Sequence, residues 1–362
     1  MPQIDPCAQR LATQHLIEPK FEKAQDVVSL LGAVQAQDYA MSKWALGQRM
    51  RGATDAAIEQ EINSGGILRT HVLRPTWHYV APADIRWMLA LTGPRIKATL
   101  GYYDRELGVE SSVIRAAQKV MTKVLRNGTH LTRAELAERM SKAGIRTDGT
   151  ERLARLVMHA ELDGLICNGP RRGKQFTYAL LEERVPPAKT MDRETSLHTL
   201  ATRYFATRGP ATEADFAWWS GLTMGDARVA IQSLGSSIQS LEIGGRKYWL
   251  ATKITMKAKS PLVRLLPNYD EFFIGLKDRS AMHRKLKSLG IQTSLGGLSG
   301  HLLIIDGQIA GGWKQMFKPK AVSLKIRLQR PLTGSQQRAV ETEAARLAAF
   351  LGLTPRIDIA KA

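Results

Sequence analysis

The stretch Asp26-Val27-Val28-Ser29-Leu30-Leu31-Gly32-Ala33-Val34-Gln35-Ala36-Gln37-Asp38 decides how the rest of the chain is read. Val27, Val28, Leu30, Leu31 and Val34 recur at the spacing of one helix face, and Asp26 can cap that helix. Gln35 and Gln37 then fall in a turn, and a second helix is expected from about Met41 to Met50. Ile67–Leu73 and Thr76–Val80 read as two strands joined by Arg74-Pro75. Helix, turn, helix and a two-stranded ribbon is the element order of a winged helix. A connecting helix is expected over 83–107, interrupted at Gly93-Pro94.

The scheme repeats downstream in architecture, not in residue identity. From near Ser111, Val113, Ile114, Ala117, Val120, Met121, Val124 and Leu125 line one helix face, with Arg115, Lys119 and Lys123 opposite. Thr132 caps Arg133–Met140, with Glu135 completing a capping box. A helix over Thr150–Leu162 carries Arg152, Arg155 and His159 on one side. Ile166–Asn168 and Gln175–Leu180 then bracket the basic tip Gly169-Pro170-Arg171-Arg172-Gly173-Lys174. A third round has helices over Asp192–Thr207, Glu213–Trp219 (capped by Thr212) and Met224–Leu234. Its ribbon, Ile238–Leu241 and Tyr248–Ala251, is turned by Gly244-Gly245-Arg246-Lys247.

Past about Lys259 the pattern shortens to strands, expected at Leu262–Leu266, Phe272–Ile274, Leu302–Ile305, Ile309–Trp313 and Val322–Leu328. Asp306-Gly307 is a two-residue hairpin turn, and a last helix spans about Ser335–Phe350 before Gly352 and Pro355. Ser294–Gly300 reads as a mobile loop. The expected fold is α+β: three tandem winged-helix modules, then a β-rich partial barrel with a final helix. The expected boundaries are 1–108, 109–188, 189–258 and 259–362.

Composition narrows the partner. The 362 residues carry 52 Lys plus Arg against 33 Asp plus Glu, a formal net charge of +19. The usual polyanion for such a surface is nucleic acid. Two cysteines, Cys7 and Cys167, make no disulfide framework and point to a reducing cytoplasm. The start, Met1–Arg10, lacks the apolar core of a signal peptide, and no apolar run is long enough to span a membrane. The eight histidines show no metal-binding spacing, so neither metal nor cofactor is expected. A monomer acting at the nucleoid fits the tandem modules.

Gln35 and Gln37 cannot serve as general bases, since a carboxamide only donates and accepts hydrogen bonds. They can orient a water, which suffices where the bond to be broken is already weak. Residues two apart diverge by about 200° on a helix but share a side when extended, so the pair can cooperate only if the helix has loosened there. Asp38 either caps the next helix or backs up the water; the cap is favoured. Arg171, Arg172, Lys174, Arg246 and Lys247, at ribbon tips, are candidate phosphate contacts.

Val34–Asp38, Leu73–Val80 (LRPTWHYV) and Leu265–Ser280 (LLPNYDEFFIGLKDRS) resemble signature segments of the AlkZ/YcaQ-like bacterial winged-helix DNA glycosylases. The resemblance runs over essentially the whole chain in the expected order. It implies three winged-helix modules with a terminal β-rich domain, excision of alkylated bases from double-stranded DNA and, in some members, unhooking of interstrand crosslinks. The family's catalytic motif is glutamine, an apolar residue, then glutamine or aspartate, so the resemblance makes Gln35 and Gln37 the catalytic pair. The glutamine version is similar to the branch associated with resistance to self-made alkylating antibiotics, and the aspartate version belongs to the other branch.

Chemistry agrees. An N7-alkylated purine carries its own positive charge and leaves without protonation, so a positioned water and carbonyl dipoles beside the developing oxocarbenium can do the work. His71, Arg74 and His78 are expected to line the site, with one of the two histidines facing the cleft. Asp270 is the best carboxylate elsewhere, and a rival reading makes it the general base with the glutamines as clamps. Lys314, Lys318 and Lys320 surround a hairpin near Phe317, which could wedge into the minor groove or be a buried strand aromatic. The alternative to an enzyme is a non-catalytic winged-helix transcription or architectural protein.

Overall fold

The first helix, α1 (Pro6–Thr13), starts where Asp5 accepts a hydrogen bond from the Cys7 N–H and Pro6 supplies a first-turn φ. This computed structural model describes residues 4–188, 190–251, 253, 259–290 and 300–360. It is a mixed α/β molecule in which one order of elements recurs.

The first round runs α2 (Ala24–Leu31), β1 (Val34–Gln35), α3 (Tyr39–Gly47), α4 (Asp55–Ser64), β2 (Leu68–His71) and β3 (Trp77–Val80), and α5 (Ile85–Glu106) leads out. The second runs α6 (Ser111–Leu125), β4 (Leu131–Thr132), α7 (Arg133–Lys142), α8 (Thr150–Leu162), β5 (Ile166–Asn168) and β6 (Thr177–Leu180), closed by the short α9 (Leu181–Arg184). The third has α10 (Arg193–Arg208), α11 (Glu213–Ser220), α12 (Met224–Leu234), β7 (Gln239–Ile243) and β8 (Arg246–Leu250). The first two rounds build three-stranded sheets of equivalent order, β1-β3-β2 and β4-β6-β5. In the third, Ala211 alone takes the edge place, bonded both ways to Trp249.

The tail comprises β9 (Val263–Leu266), α13 (Glu271–Ile274), α14 (Arg284–Ser288), β10 (His301–Ile305), β11 (Gln308–Lys318), β12 (Ala321–Leu328), α15 (Gly334–Phe350) and β13 (Thr354–Ala360). Its sheet has the order β13-β12-β11-β10-β9, with β13 parallel to β12 and the other pairs antiparallel. One apolar core joins α2, α3 and α4 to this sheet and α15. Within it the Trp44 indole donates to the Leu265 carbonyl at 2.8 Å and meets the Phe350 ring at 5.1 Å.

Several expectations need correction. Asp26 lies inside the first turn of α2, where an acid favours the dipole, and caps nothing. The residues expected as a strand at Phe272–Ile274 are a helical turn, because Asp270 accepts from the Phe272 N–H and caps it. Gly93-Pro94 does not interrupt α5. Helix α4, capped by Thr54 and closed by left-handed Gly65, was not read, nor were α1 and β13. Strand β11 runs on to Lys318 rather than stopping at Trp313. Arg152, Arg155 and His159 do share one side of α8. That side faces α5 and its C-terminal end, with Arg152 donating to the Leu107 carbonyl and His159 2.8 Å from Asp104. The loop expected at Ser294–Gly300 lies outside the described residues apart from Gly300, and the boundary expected at 258 falls among residues 254–258, also outside them.

Candidate functional site

The sheet β1-β3-β2 sorts the sequence candidates by face. Val34 stands opposite Tyr79 and Gln35 opposite His78, while Thr70 stands opposite His78 from the other side. Cross-strand partners share a face, so Thr70, His78 and Gln35 form one row across three strands. Arg69, His71, Trp77 and Tyr79 project from the other face. There the Arg69 guanidinium lies 4.4 Å from the Trp77 ring centre and 4.8 Å from that of Phe176, and the His71 Nδ1 meets Glu161. Of the two histidines, His78 shares the glutamine face and His71 does not.

The segment carrying the glutamines is extended and held on both edges. The Gln35 N–H donates to Glu271 at 2.9 Å, the Ala36 N–H to the Trp77 carbonyl at 2.7 Å, and Arg69 Nε to the Ala36 carbonyl at 3.1 Å. Gln35 is buried, Gln37 is exposed, and Asp38 accepts from the Met41 N–H as the cap of α3. Behind them Glu271 is fully buried, taking Arg208 at 2.6 Å and the Trp219 indole at 2.9 Å. Arg208 in turn donates to the Leu31 carbonyl at 2.9 Å. Residues far apart in the chain thus meet at one strand two residues long.

The glutamine face is polar and desolvated. Gln35 Oε1, Thr70 Oγ1, Thr76 Oγ1, His78 Nε2, and Nε and Nη2 of Arg74 are all buried without a protein partner. Burial, with the Arg74 charge second, pushes the His78 pKa down to about 3, so the ring is neutral. Burial also lowers the Arg74 pKa. The Arg74 guanidinium lies 5.2 Å from the ring centre of Trp218 in α11. Among the described residues no group of three or more His, Cys, Asp and Glu comes together as a metal site.

The remaining candidates are scattered. Asp270 does not face a groove: its oxygens take Arg49 at 2.9 Å each, the Phe272 N–H bonds Oδ1 as well, and at 1% exposure the carboxylate is sealed away from any attacking water. That corrects its assignment as a DNA-contacting carboxylate or general base. Arg171 is drawn inward, its guanidinium 4.8 Å from the Tyr39 ring centre and 4.9 Å from that of Phe176. Arg172 is exposed but paired to Glu135 at 2.7 Å, and Arg246 is exposed and paired to Asp278 at 2.7 Å. Lys174, Lys247 and Lys318 are exposed. Phe317, at 52% exposure, is no buried strand aromatic: with Met316 and Lys318 it forms the outer end of the β11–β12 hairpin. Thr70, Thr76, Glu271, Arg208 and Trp219 were not picked out as site residues. Glu271 had a signal, standing beside Asp270 in LLPNYDEFFIGLKDRS, but a string cannot tell which of two adjacent acids turns toward Gln35.

Comparison with known proteins adds three findings. A family model described as DNA glycosylase AlkZ-like matches residues 28–350. An interstrand DNA cross-link repair glycosylase of Streptomyces sahachiroi is 25% identical over 363 residues, covering 94% of this chain and 94% of its own length. The solved structure of Streptomyces sahachiroi DNA glycosylase AlkZ superposes with a TM-score of 0.79 at 22% identity, covering 99% of this chain and 98% of that one. The fold is therefore shared throughout.

Proposed function

Since this chain belongs to the AlkZ-like DNA glycosylase family, we propose that it hydrolyses the N-glycosidic bond of N7-alkylated purines in double-stranded DNA, with a water oriented by Gln35 and Gln37. The observation that carries this reading is the glutamine segment: extended, braced by Glu271, with one carboxamide buried and the other exposed. The water's oxygen bonds to the anomeric carbon as the carbon–N9 bond breaks. The bonding pair goes to the base and cancels its charge, and a water proton leaves to solvent. No base stronger than a carboxamide is required.

The product is an abasic site on an intact strand. Lys43, the lysine carried by α3, is held by Asp55 and Glu59 at 2.8 Å each and is no free amine for a lyase step. The related Streptomyces protein is named for crosslink repair, and the exposed end of Gln37 supports acceptance of bulky adducts and crosslinks here. The repeated helix–strand–helix–helix–ribbon order supports three winged-helix modules, bounded near 108, 188 and 258, with a partly closed β-rich domain after them. Arg172, Lys174, Arg246, Lys247 and Lys318 serve as phosphate contacts, with Phe317 as a wedge at the hairpin tip. We place the enzyme as a monomer on DNA in the cytoplasm. No helix among the described residues is long and apolar enough to cross a membrane.

Incubation with duplex containing N7-methylguanine tests the reading. Free base should appear and the backbone should stay whole until alkali is added; strand cleavage without alkali, or no base release, ends it. Gln37→Ala should cut excision while leaving the dissociation constant for DNA unchanged.

A further inference from the structure

The Thr70–His78–Gln35 row contains a mismatch that the glutamine reading does not use. The Gln35 N–H points away from β3, to Glu271, so Gln35 and His78 form a non-hydrogen-bonded antiparallel pair, the kind whose side chains approach most closely. His78 Nδ1 lies 2.9 Å from the Thr76 carbonyl oxygen. A carbonyl only accepts, so Nδ1 carries the hydrogen and Nε2 is left as an acceptor. Both His78 Nε2 and Gln35 Oε1 are buried with no protein partner. Two acceptors side by side cannot satisfy one another.

The ends of a carboxamide are nearly isosteric, and hydrogen bonding decides which is which. Turning the Gln35 amide over would set an N–H where the buried Oε1 stands, beside the paired His78, and so offer the unpaired Nε2 a donor. Thr70 Oγ1 could donate to Nε2 instead, but Gln35 Oε1 would then remain buried and unpaired. We propose that His78 is a positioning residue for this hydrolysis: its Nε2 accepts from the Gln35 amide nitrogen and so turns the Gln35 carbonyl oxygen outward, toward the attacking water. This deepens the Gln35–Gln37 reading and rests on it.

The polarity has a chemical purpose. A water that donates to a carbonyl oxygen keeps its lone pairs free for the anomeric carbon, whereas a water that accepts from an outward-facing NH2 has one of them occupied. His78 holds this sense only while it is neutral. Burial and the positive charge of Arg74 keep it so, with His71 and Arg208 acting in the same direction and Glu271, which takes the Gln35 N–H and Arg208, the carboxylate of this site.

The test is single-turnover excision from N7-methylguanine duplex across pH 5 to 8, about the window in which a histidine of ordinary pKa changes charge. Wild type should show a flat profile. His78→Leu should excise about tenfold more slowly or worse, with unchanged affinity for DNA, and His78→Gln should recover most of the loss by restoring an acceptor. Gln35→Glu provides the readout that a purely structural histidine would not move. It sets a carboxylate oxygen against Nε2, so His78 must take up a proton to bond it, and excision should rise as pH falls. In Gln35→Glu/His78→Leu that rise should vanish.

A wild-type rate at His78→Leu, or a Gln35→Glu profile as flat as wild type, overturns the proposal. If His78→Leu does not fold, the Gln35→Glu profile decides alone. Failure of wild type to release base would instead remove the glutamine reading itself.

Discussion

At the scale of single residues, adjacent acids in one segment take different work. Asp270 and Glu271 both sit under arginines, Arg49 and Arg208, and both are fully or almost fully buried. Only Glu271 reaches the glutamine strand. Asp270→Ala should therefore cost about 3–5 kcal/mol in urea unfolding, because it strands a buried guanidinium. The folded fraction at low temperature should excise at the wild-type rate; lost turnover with intact stability would instead revive Asp270 as a base. His78 makes a second prediction, about pH. Its folded pKa is depressed to about 3, so below its unfolded value of about 6.5 the unfolded chain binds the extra proton. Stability is lost as pH falls through that window, by up to about 1.4 kcal/mol per unit. Denaturation midpoints of wild type should slope more steeply between pH 6.5 and 5 than those of His78→Gln, and equal slopes would mean that the ring titrates normally.

At the scale of elements, the site depends on a close approach between α11 and the β2–β3 turn. Gly221 ends α11 at φ +70, and a Cβ built there would lie 2.0 Å from the Leu73 carbonyl oxygen. The carbonyl belongs to the turn that presents Arg74 to Trp218. Gly221→Ala should push that turn away, lowering both the melting temperature and the excision rate. Gly128 has a similar φ of +68 but open space around it, so Gly128→Ala should show only backbone strain of about 1 kcal/mol and normal excision. Equal effects of the two substitutions would mean that the approach is not what matters. The elements differ in how far they could be read. Thr132 with Glu135 announced the start of α7, because a capping box is a local hydrogen-bond circuit. Helix α4 carried Thr54 and Gly65 as equally local signals, and they went unread. Strand β13 alternates Arg356-Ile357-Asp358-Ile359, a local signal too, but its parallel pairing with β12, made across the intervening α15, is not local.

At the scale of the whole molecule, the charge of +19 is the property DNA meets first. With about 6–10 phosphate contacts, affinity for undamaged duplex should fall about 10³–10⁵-fold between 50 and 200 mM salt. A fluorescence titration showing flat affinity over that range would argue against a phosphate-tracking surface. Not every basic residue joins that surface, since Arg10, Arg49 and Arg208 are buried and donate to carbonyl and carboxylate oxygens inside. The net charge was legible in composition, but its division between inner struts and outer contacts was not.

What the chain's letters determined by themselves is local or additive: helix faces from apolar spacing, starts from Thr and Asp caps, ribbons from alternation, and the polyanionic partner from the sum of charges. That Gln35 and Gln37 fall between two helices was legible from apolar spacing, but the segment is held extended by Trp77, Arg69 and Glu271, which are remote in the chain. What the tertiary structure alone decided is which side chains stand behind that pair. Glu271, Arg208 and Trp219 come from remote segments, and His78 was parted from His71 by which face each strand position shows. Such meetings depend on long-range packing and on strand register, in which a shift of one residue reverses every face, and neither is written in any short stretch of sequence.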